Sequence, residues 1–270
     1  MTRRAFSLIE ALVCTAIIAL LLAILLPTLR GAREAGRAAA CLSNTRQLVT
    51  AWTAYANDFR DRAMPLAYWS EADIGSGNPV YWWGAVGGPL QEVRYERGFI
   101  APYMGAELAR NSVFECPSQP WGSYRPQGGF AQPTSTYGYN GYYLCPSRTP
   151  GWADQISRRP WRRLFEIQRP ADLFVFADAL LPTTQPRNTA LLDPPLLFDG
   201  AGWTRNDYPT TAFRHARGPS KPGSSNTARA DGSVVGVRAI PQWIRVTTHA
   251  VGSVGETNDP HYVPDAAEWR

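Results

Sequence analysis

The sequence predicts an α+β protein: a long N-terminal helix, with a membrane half and an amphipathic half, packed on a loop-rich antiparallel-sheet head. Three observations carry that expectation. Residues Ala11 to Leu26 contain no charge and lie within an apolar stretch of about twenty residues, which as a helix would span roughly 30 Å of hydrocarbon. Apolar residues then recur at three- and four-residue intervals as far as Phe59, the period of one helix face. Beyond Pro65, short strand-like runs alternate with loops rich in Gly and Pro, of which the 270-residue chain holds 23 each.

The opening Met1-Thr2-Arg3-Arg4 is short and basic, which places the N-terminus on the cytoplasmic side of a membrane. A secretory signal carries an apolar region of about 7–15 residues, and this one is longer. The small cluster Ala38-Ala39-Ala40-Cys41 imitates a lipoprotein site but lies beyond Arg33 and Arg37. Glu10 is the anomaly, because a carboxylate in a membrane helix is costly and by default functional. It follows Phe6 by one helical turn. A cut before Phe6 would expose an α-amine able to pair with such a carboxylate on a neighbouring helix, each charge offsetting the other's burial.

The run Arg3-Arg4-Ala5-Phe6-Ser7-Leu8-Ile9-Glu10-Ala11-Leu12-Val13 resembles the processing site of type IV pilins and type II secretion pseudopilins. The resemblance implies cleavage between Ala5 and Phe6 by a prepilin peptidase, N-methylation of Phe6, and a role for Glu10 in assembly. Alanine stands at position 5 where the family usually has glycine. It implies three partners: the peptidase, other pseudopilin subunits met through the N-terminal helix, and an inner-membrane assembly platform. The organisation that follows is a leader over 1–5, a transmembrane assembly helix over 6–29, an amphipathic continuation over 30–62 and a head over 63–270. The product would be a single-pass inner-membrane protein with a periplasmic head.

The helix is expected to run from about Phe6 to about Phe59. Pro27, Gly31 and Gly36 weaken its middle. Leu48, Val49, Trp52, Tyr55, Ala56 and Phe59 form its apolar face, and Asp58, Asp61 and Met64-Pro65 end it. The stretch from Cys41 to Leu48, followed by Tyr55-Ala56-Asn57-Asp58, resembles one pseudopilin-like subgroup with Cys-Pro-Ser segments and a C-terminal His…Asp-Gly motif. Both features occur here, as Cys116-Pro117-Ser118 and Cys145-Pro146-Ser147, and as His215 with Asn226, Asp231 and Gly232. Fifteen residues separate His215 from Asp231, against nine in the family, so the Gly218–Ser225 region reads as an inserted loop.

In the head, Trp69 to Gly88 reads as irregular surface. Ser135 to Tyr143 reads as a strand bent at Asn140-Gly141, and the apolar run Leu173 to Ala177 as a central strand. Asp231-Gly232 signals a hairpin with positive φ at both turn positions. Pro182 to Pro222 reads mostly as loop.

Candidate chemistry is sparse. Cys41, Cys116 and Cys145 would lie outside the cytoplasm, where disulfides persist. Three thiols allow one internal pair. Cys41–Cys116 is favoured, with Cys116–Cys145 next; a bridge closing about 75 residues contributes roughly 4 kcal/mol in the chain-entropy model. No two cysteines stand two to four residues apart, so spacing indicates no zinc site and no metal ligands are assigned. His215 reads more readily as a histidine hydrogen-bonded across a loop than as half of a catalytic or metal pair with Asp231. Cofactors are not expected. Calcium could draw only on Asp199, Asn206 and Asp207, or on Asn258 and Asp259, neither set having a ligand spacing of its own.

Phosphate-binding loops, metalloprotease helices and nucleophile elbows are absent from the sequence, so no enzyme is expected. A net charge of +5 without a basic run excludes nucleic acid as a partner. The reading is a structural pseudopilin-like subunit of a type II secretion pseudopilus or a type IV pilus-like filament. The alternative is a membrane-tethered extracytoplasmic binding domain, for instance one recognising glycans through its Trp- and Tyr-rich loops, with the helix as a mere anchor.

Overall fold

The computed structural model describes residues 8–68, 80–87, 92–105, 112–119, 134–145, 161–183, 186–198, 201–218 and 222–264. One helix, α1, runs unbroken from Leu8 to Asp58, about 75 Å at 1.5 Å per residue. Pro27 lies inside it without ending it. The proposed cut between Ala5 and Phe6 falls outside the described residues, and Glu10 lies in the first turn.

The two halves of α1 meet different surroundings. Its large apolar side chains from Leu8 to Leu29 are all at least 40% exposed, and this part is long and apolar enough to cross a membrane once. From Cys41 onward the helix turns inward: Cys41, Thr45, Leu48, Val49, Ala51, Trp52, Tyr55 and Ala56 are buried. That stripe is the expected amphipathic face, with one correction. Phe59 is 50% exposed, because α1 ends one residue earlier and the ring stacks on Tyr55 at 4.2 Å. The chain leaves the helix through Arg60 and Asp61, both at positive φ.

The head is antiparallel, as expected. Its main sheet has the strand order β11-β10-β6-β5, formed by Val234–Arg238, Ser224–Arg229, Phe174–Asp178 and Tyr137–Tyr139. The buried half of α1 lies against β10, β11 and β6. β6 is buried at every residue, which is why its run reads as continuously apolar, without alternation. A second sheet joins Ala67–Tyr68 (β1), Val80–Tyr81 (β2), Gly84–Gly87 (β3) and Glu92–Arg94 (β4) in that order. Part of the stretch read as irregular surface therefore pairs into strands.

The loop read over Pro182 to Pro222 likewise holds three short strands, β7 (Leu196–Phe198), β8 (Trp203–Arg205) and β9 (Thr211–Ala212). β7 and β8 pair with each other, while β9 joins β13 (Val251–Gly252) and β12 (Ile244–Val246). Strands of two or three residues carry too little alternation to show as a pattern.

The bend at Asn140-Gly141 is sharper than expected. Asn140 caps a one-turn helix, Gly141–Leu144, its side chain accepting from the Tyr143 N–H at 3.4 Å. The β10–β11 hairpin forms where Asp231-Gly232 signals it, but only Gly232 takes positive φ, at 83°. Asp231 instead accepts the Ser233 N–H on its carboxylate at 2.9 Å, and Gly232 N–H donates back to the Arg229 carbonyl. The turn is therefore closed by one left-handed glycine and not by two residues at positive φ.

Trp52 is the helix's principal hold on the head. It is fully buried, and its indole N–H donates to the Tyr139 hydroxyl at 3.1 Å, which donates in turn to the Met64 carbonyl at 2.6 Å. Tyr139 also packs on Phe176, and Phe176 on Trp82. Trp52→Ala should lower stability by about 3–5 kcal/mol, measured by urea unfolding of the full chain in detergent and followed by circular dichroism. A loss below about 1 kcal/mol would mean that the helix does not share the head's core.

Candidate functional site

Four buried side chains converge where α1 crosses the main sheet. Cys41 comes from α1, Cys116 from the Cys-Pro-Ser loop, Asp178 from the end of β6, and His215 from the residue bridged to Ser224 at the start of β10. Each is at most 1% exposed. Their donor atoms all lie within 4.8 Å of one another. Cys41 Sγ is 3.3 Å from Asp178 Oδ1, His215 Nε2 is 3.1 Å from Asp178 Oδ2, and Cys116 Sγ is 3.5 Å from His215 Nε2.

A further layer of groups holds these four in place. The Asn226 N–H donates to Asp178 Oδ2 at 2.8 Å, and its side-chain amide donates to the Ala38 carbonyl of α1 at 3.0 Å. The Tyr137 hydroxyl donates to Cys41 Sγ at 3.3 Å. Arg214 lies 3.9 Å from Asp178 Oδ1 and is tied to the Ala179 carbonyl at 2.6 Å. On the outer side, His215 Nδ1 faces Ser118 Oγ at 3.3 Å and Glu34 Oε1 at 3.7 Å, and Ser118 donates to Glu34 at 2.9 Å. The Thr136 hydroxyl accepts the Cys116 N–H at 2.7 Å.

The charges are strongly coupled. Burial alone would raise the Asp178 pKa, but Arg214, His215 and the Asn226 N–H together hold it below the usual carboxylate range. Burial alone would lower that of His215, yet its hydrogen bonds to Asp178 and Cys116 raise it to about 10. Burial, with the neighbouring Cys116 and Asp178, pushes the Cys41 thiol well up. For Cys116 burial acts in the same direction, and the hydrogen bonds from Cys41 and His215 outweigh it and bring the thiol below its ordinary value.

The site gathers some of the residues singled out in the sequence and separates others. His215 and Asn226 belong to it. Asp231 and Gly232 form the exposed hairpin tip, so His215 pairs with Asp178 and not with Asp231. All four cysteines are free thiols. Cys41 and Cys116 share the cluster but are unbonded, and Cys145 ends the Gly141–Leu144 helix outside it. Although cysteine spacing indicates no metal site, the fold assembles two sulfurs, an imidazole and a carboxylate, a donor set able to hold a metal ion. Sequence reasoning missed Asp178, Glu34 and Arg214; the one local signal was an acid closing the apolar run at Ala177.

Of the calcium candidates, Asn206 and Asn258 are engaged in loop structure. Asn206 bonds the Pro194 carbonyl and the Tyr208 N–H, while Asn258 bonds both backbone groups of Leu196. Asp199 lies outside the described residues.

A family model matches residues 30–193: SBP_bac_10, described as a protein of unknown function (DUF1559). The chain belongs to this family. SBP_bac_10 is associated with pilin-like and prepilin-like bacterial proteins. The matched span contains the amphipathic half of α1 and three of the four cluster residues, while His215 reaches the cluster from beyond it. No curated protein and no solved structure matches the chain.

Asp178 is the hub of the cluster. Asp178→Asn should cost about 3–5 kcal/mol by leaving Arg214 and His215 buried without their counter-charge, read from urea midpoints of the full chain with chelator present. The Asp178 pKa is depressed on folding, so its carboxylate contributes fully above the ordinary value of 3.8 and progressively less as pH falls through the lower folded value. The gap between wild type and Asp178→Asn should therefore narrow below about pH 4. A gap that stays constant or widens there would contradict the assignment.

Proposed function

We propose that the chain is a pseudopilin-like structural subunit, processed by a prepilin peptidase and assembled through its N-terminal helix into a type II secretion pseudopilus or a type IV pilus-like filament. One observation carries this reading: a single helix of 51 residues, bare and apolar in its first half, is built into the core of the head by its second half. An anchor alone needs no such continuity. A filament subunit does, because helix packing between subunits must be passed to the head through unbroken backbone.

Membership of SBP_bac_10 supports a pilin-like extracytoplasmic protein. The Arg3-to-Val13 segment supports processing before Phe6, and Glu10 in the first helical turn supports an assembly role. In this reading the head is periplasmic, the N-terminus is cytoplasmic before processing, and the partners are the peptidase, sibling subunits and an inner-membrane assembly platform. The role is structural and not catalytic.

The binding-domain alternative has one observation of its own. A groove of about 670 Å³ lies beside the end of α1, lined by Tyr55, Phe59, Tyr68, Tyr103 and Trp161 together with arginines and acidic residues. Aromatic floors with polar rims suit the faces of sugar rings.

Intact-mass analysis of the membrane-extracted protein should find a chain beginning at N-methylated Phe6. Glu10→Ala should leave membrane insertion intact and reduce recovery in sheared filament fractions by at least about tenfold, equivalent to roughly 1.4 kcal/mol or more of assembly free energy. An intact leader together with unchanged behaviour of Glu10→Ala would favour the anchored binding domain.

A further inference from the structure

We propose that Cys41, Cys116, Asp178 and His215 form a structural zinc site that clamps α1 to the head. The four come from four separate elements and meet only in the folded chain. A tetrahedral zinc with ligand bonds of about 2.0–2.3 Å separates its ligand atoms by about 3.3–3.8 Å. Cys41 Sγ to Asp178 Oδ1 at 3.3 Å and Cys116 Sγ to His215 Nε2 at 3.5 Å fall within that range, His215 Nε2 stands slightly closer to the other Asp178 oxygen at 3.1 Å, and one donor atom from each residue can be chosen so that all four lie within 4.8 Å of one another. Two thiolates with one imidazole are soft donors that favour zinc over calcium or magnesium, and a closed four-protein-ligand shell is the structural form of the site.

The surroundings supply what such a site requires. A metal-bound histidine donates its other ring nitrogen to a carboxylate, carbonyl or water. Here Nδ1 faces Ser118 Oγ and, behind it, Glu34 Oε1, leaving Nε2 turned toward Cys116 Sγ and Asp178. The Tyr137 hydroxyl points at Cys41 Sγ, and the Asn226 N–H holds one oxygen of Asp178. Charge also closes. Zinc with two thiolates and one carboxylate carries a single negative charge, and the Arg214 guanidinium, its side chain 7% exposed, stands 3.9 Å from Asp178 to neutralise it. Binding releases to solvent the protons held by the two thiols and by Nε2 of His215, since each ligand atom must be deprotonated to bind, and no electrons move.

A Cys41–Cys116 disulfide is the competing use of the same sulfurs. It would leave Asp178 and His215 as bystanders, whereas each sulfur faces one of them, Cys41 toward Asp178 and Cys116 toward His215. The proposal is independent of filament assembly, since a tethered binding domain would need the same clamp.

The full chain, purified in detergent without chelator, should carry about one zinc per molecule by elemental mass spectrometry. Cys41 and Cys116 should resist alkylation until a chelator is added. Cys116→Ser should lower the zinc content at least about tenfold. If that variant does not fold, Cys116→His keeps four ligands and should retain the metal, and its cobalt-substituted form should lose about half of the thiolate-to-cobalt charge-transfer absorption seen in the wild type. A Cys41–Cys116 disulfide in peptide maps, a metal-free wild type with reactive thiols, or full zinc occupancy in folded Cys116→Ser would each overturn the proposal.

Discussion

Everything in the fold depends on one helix being lipid-like at one end and core at the other. Among the described residues the head's sheet has no other long element to cover it, so the stripe from Cys41 to Ala56 supplies the apolar surface that β6 and β10 require. Cys41, Leu48, Val49, Ala51, Trp52 and Tyr55 of that stripe share one core cluster with Trp82, Phe114, Tyr137, Tyr139 and Phe176. Removing the helix would leave the face of a four-stranded sheet in water. An anchor joined through a flexible linker would impose no such constraint. In this chain the part apolar enough to cross a membrane and the part that folds the head belong to one helix, and removing that helix would expose the core.

The second constraint is electrostatic. A carboxylate, a guanidinium, an imidazole and two thiols share a site from which water is excluded. None of these groups is stable there alone, and together they account for one another's charge. Their contributors span α1, the Cys-Pro-Ser loop, β6 and the segment leading into β10, so satisfying the charges also fixes how those four elements lie together. Apolar packing between helix and sheet leaves room for small slides. A directional cluster does not.

Much of this architecture was legible beforehand because the relevant signals are local. The apolar run to Leu26, the three-four spacing to Ala56, the buried strand at β6 and the Asp-Gly hairpin each show within a window of a few residues. The exposure of Phe59 and the two-residue strands beyond Tyr68 did not, because tertiary pairing decides them and pattern does not. The site is the clearest case of partial legibility. His215, Asn226, Cys41 and Cys116 stood out by type or motif, but Asp231 was the wrong acid. The partner of His215 sits at Asp178, where only the fold of β6 against β10 brings it near. Ligand spacing along the chain says little when donors are drawn from positions 41, 116, 178 and 215.

Over the turns that precede its first contact with the head at Glu34, α1 passes through Pro27 and Gly31. At Gly31 and again at Gly36 an added Cβ would meet nothing within 4 Å. This is a neck of about two turns with a missing backbone hydrogen bond and no side-chain buttress. Sideways load on the head would therefore concentrate its bending in that short length and leave the junctions above and below undistorted.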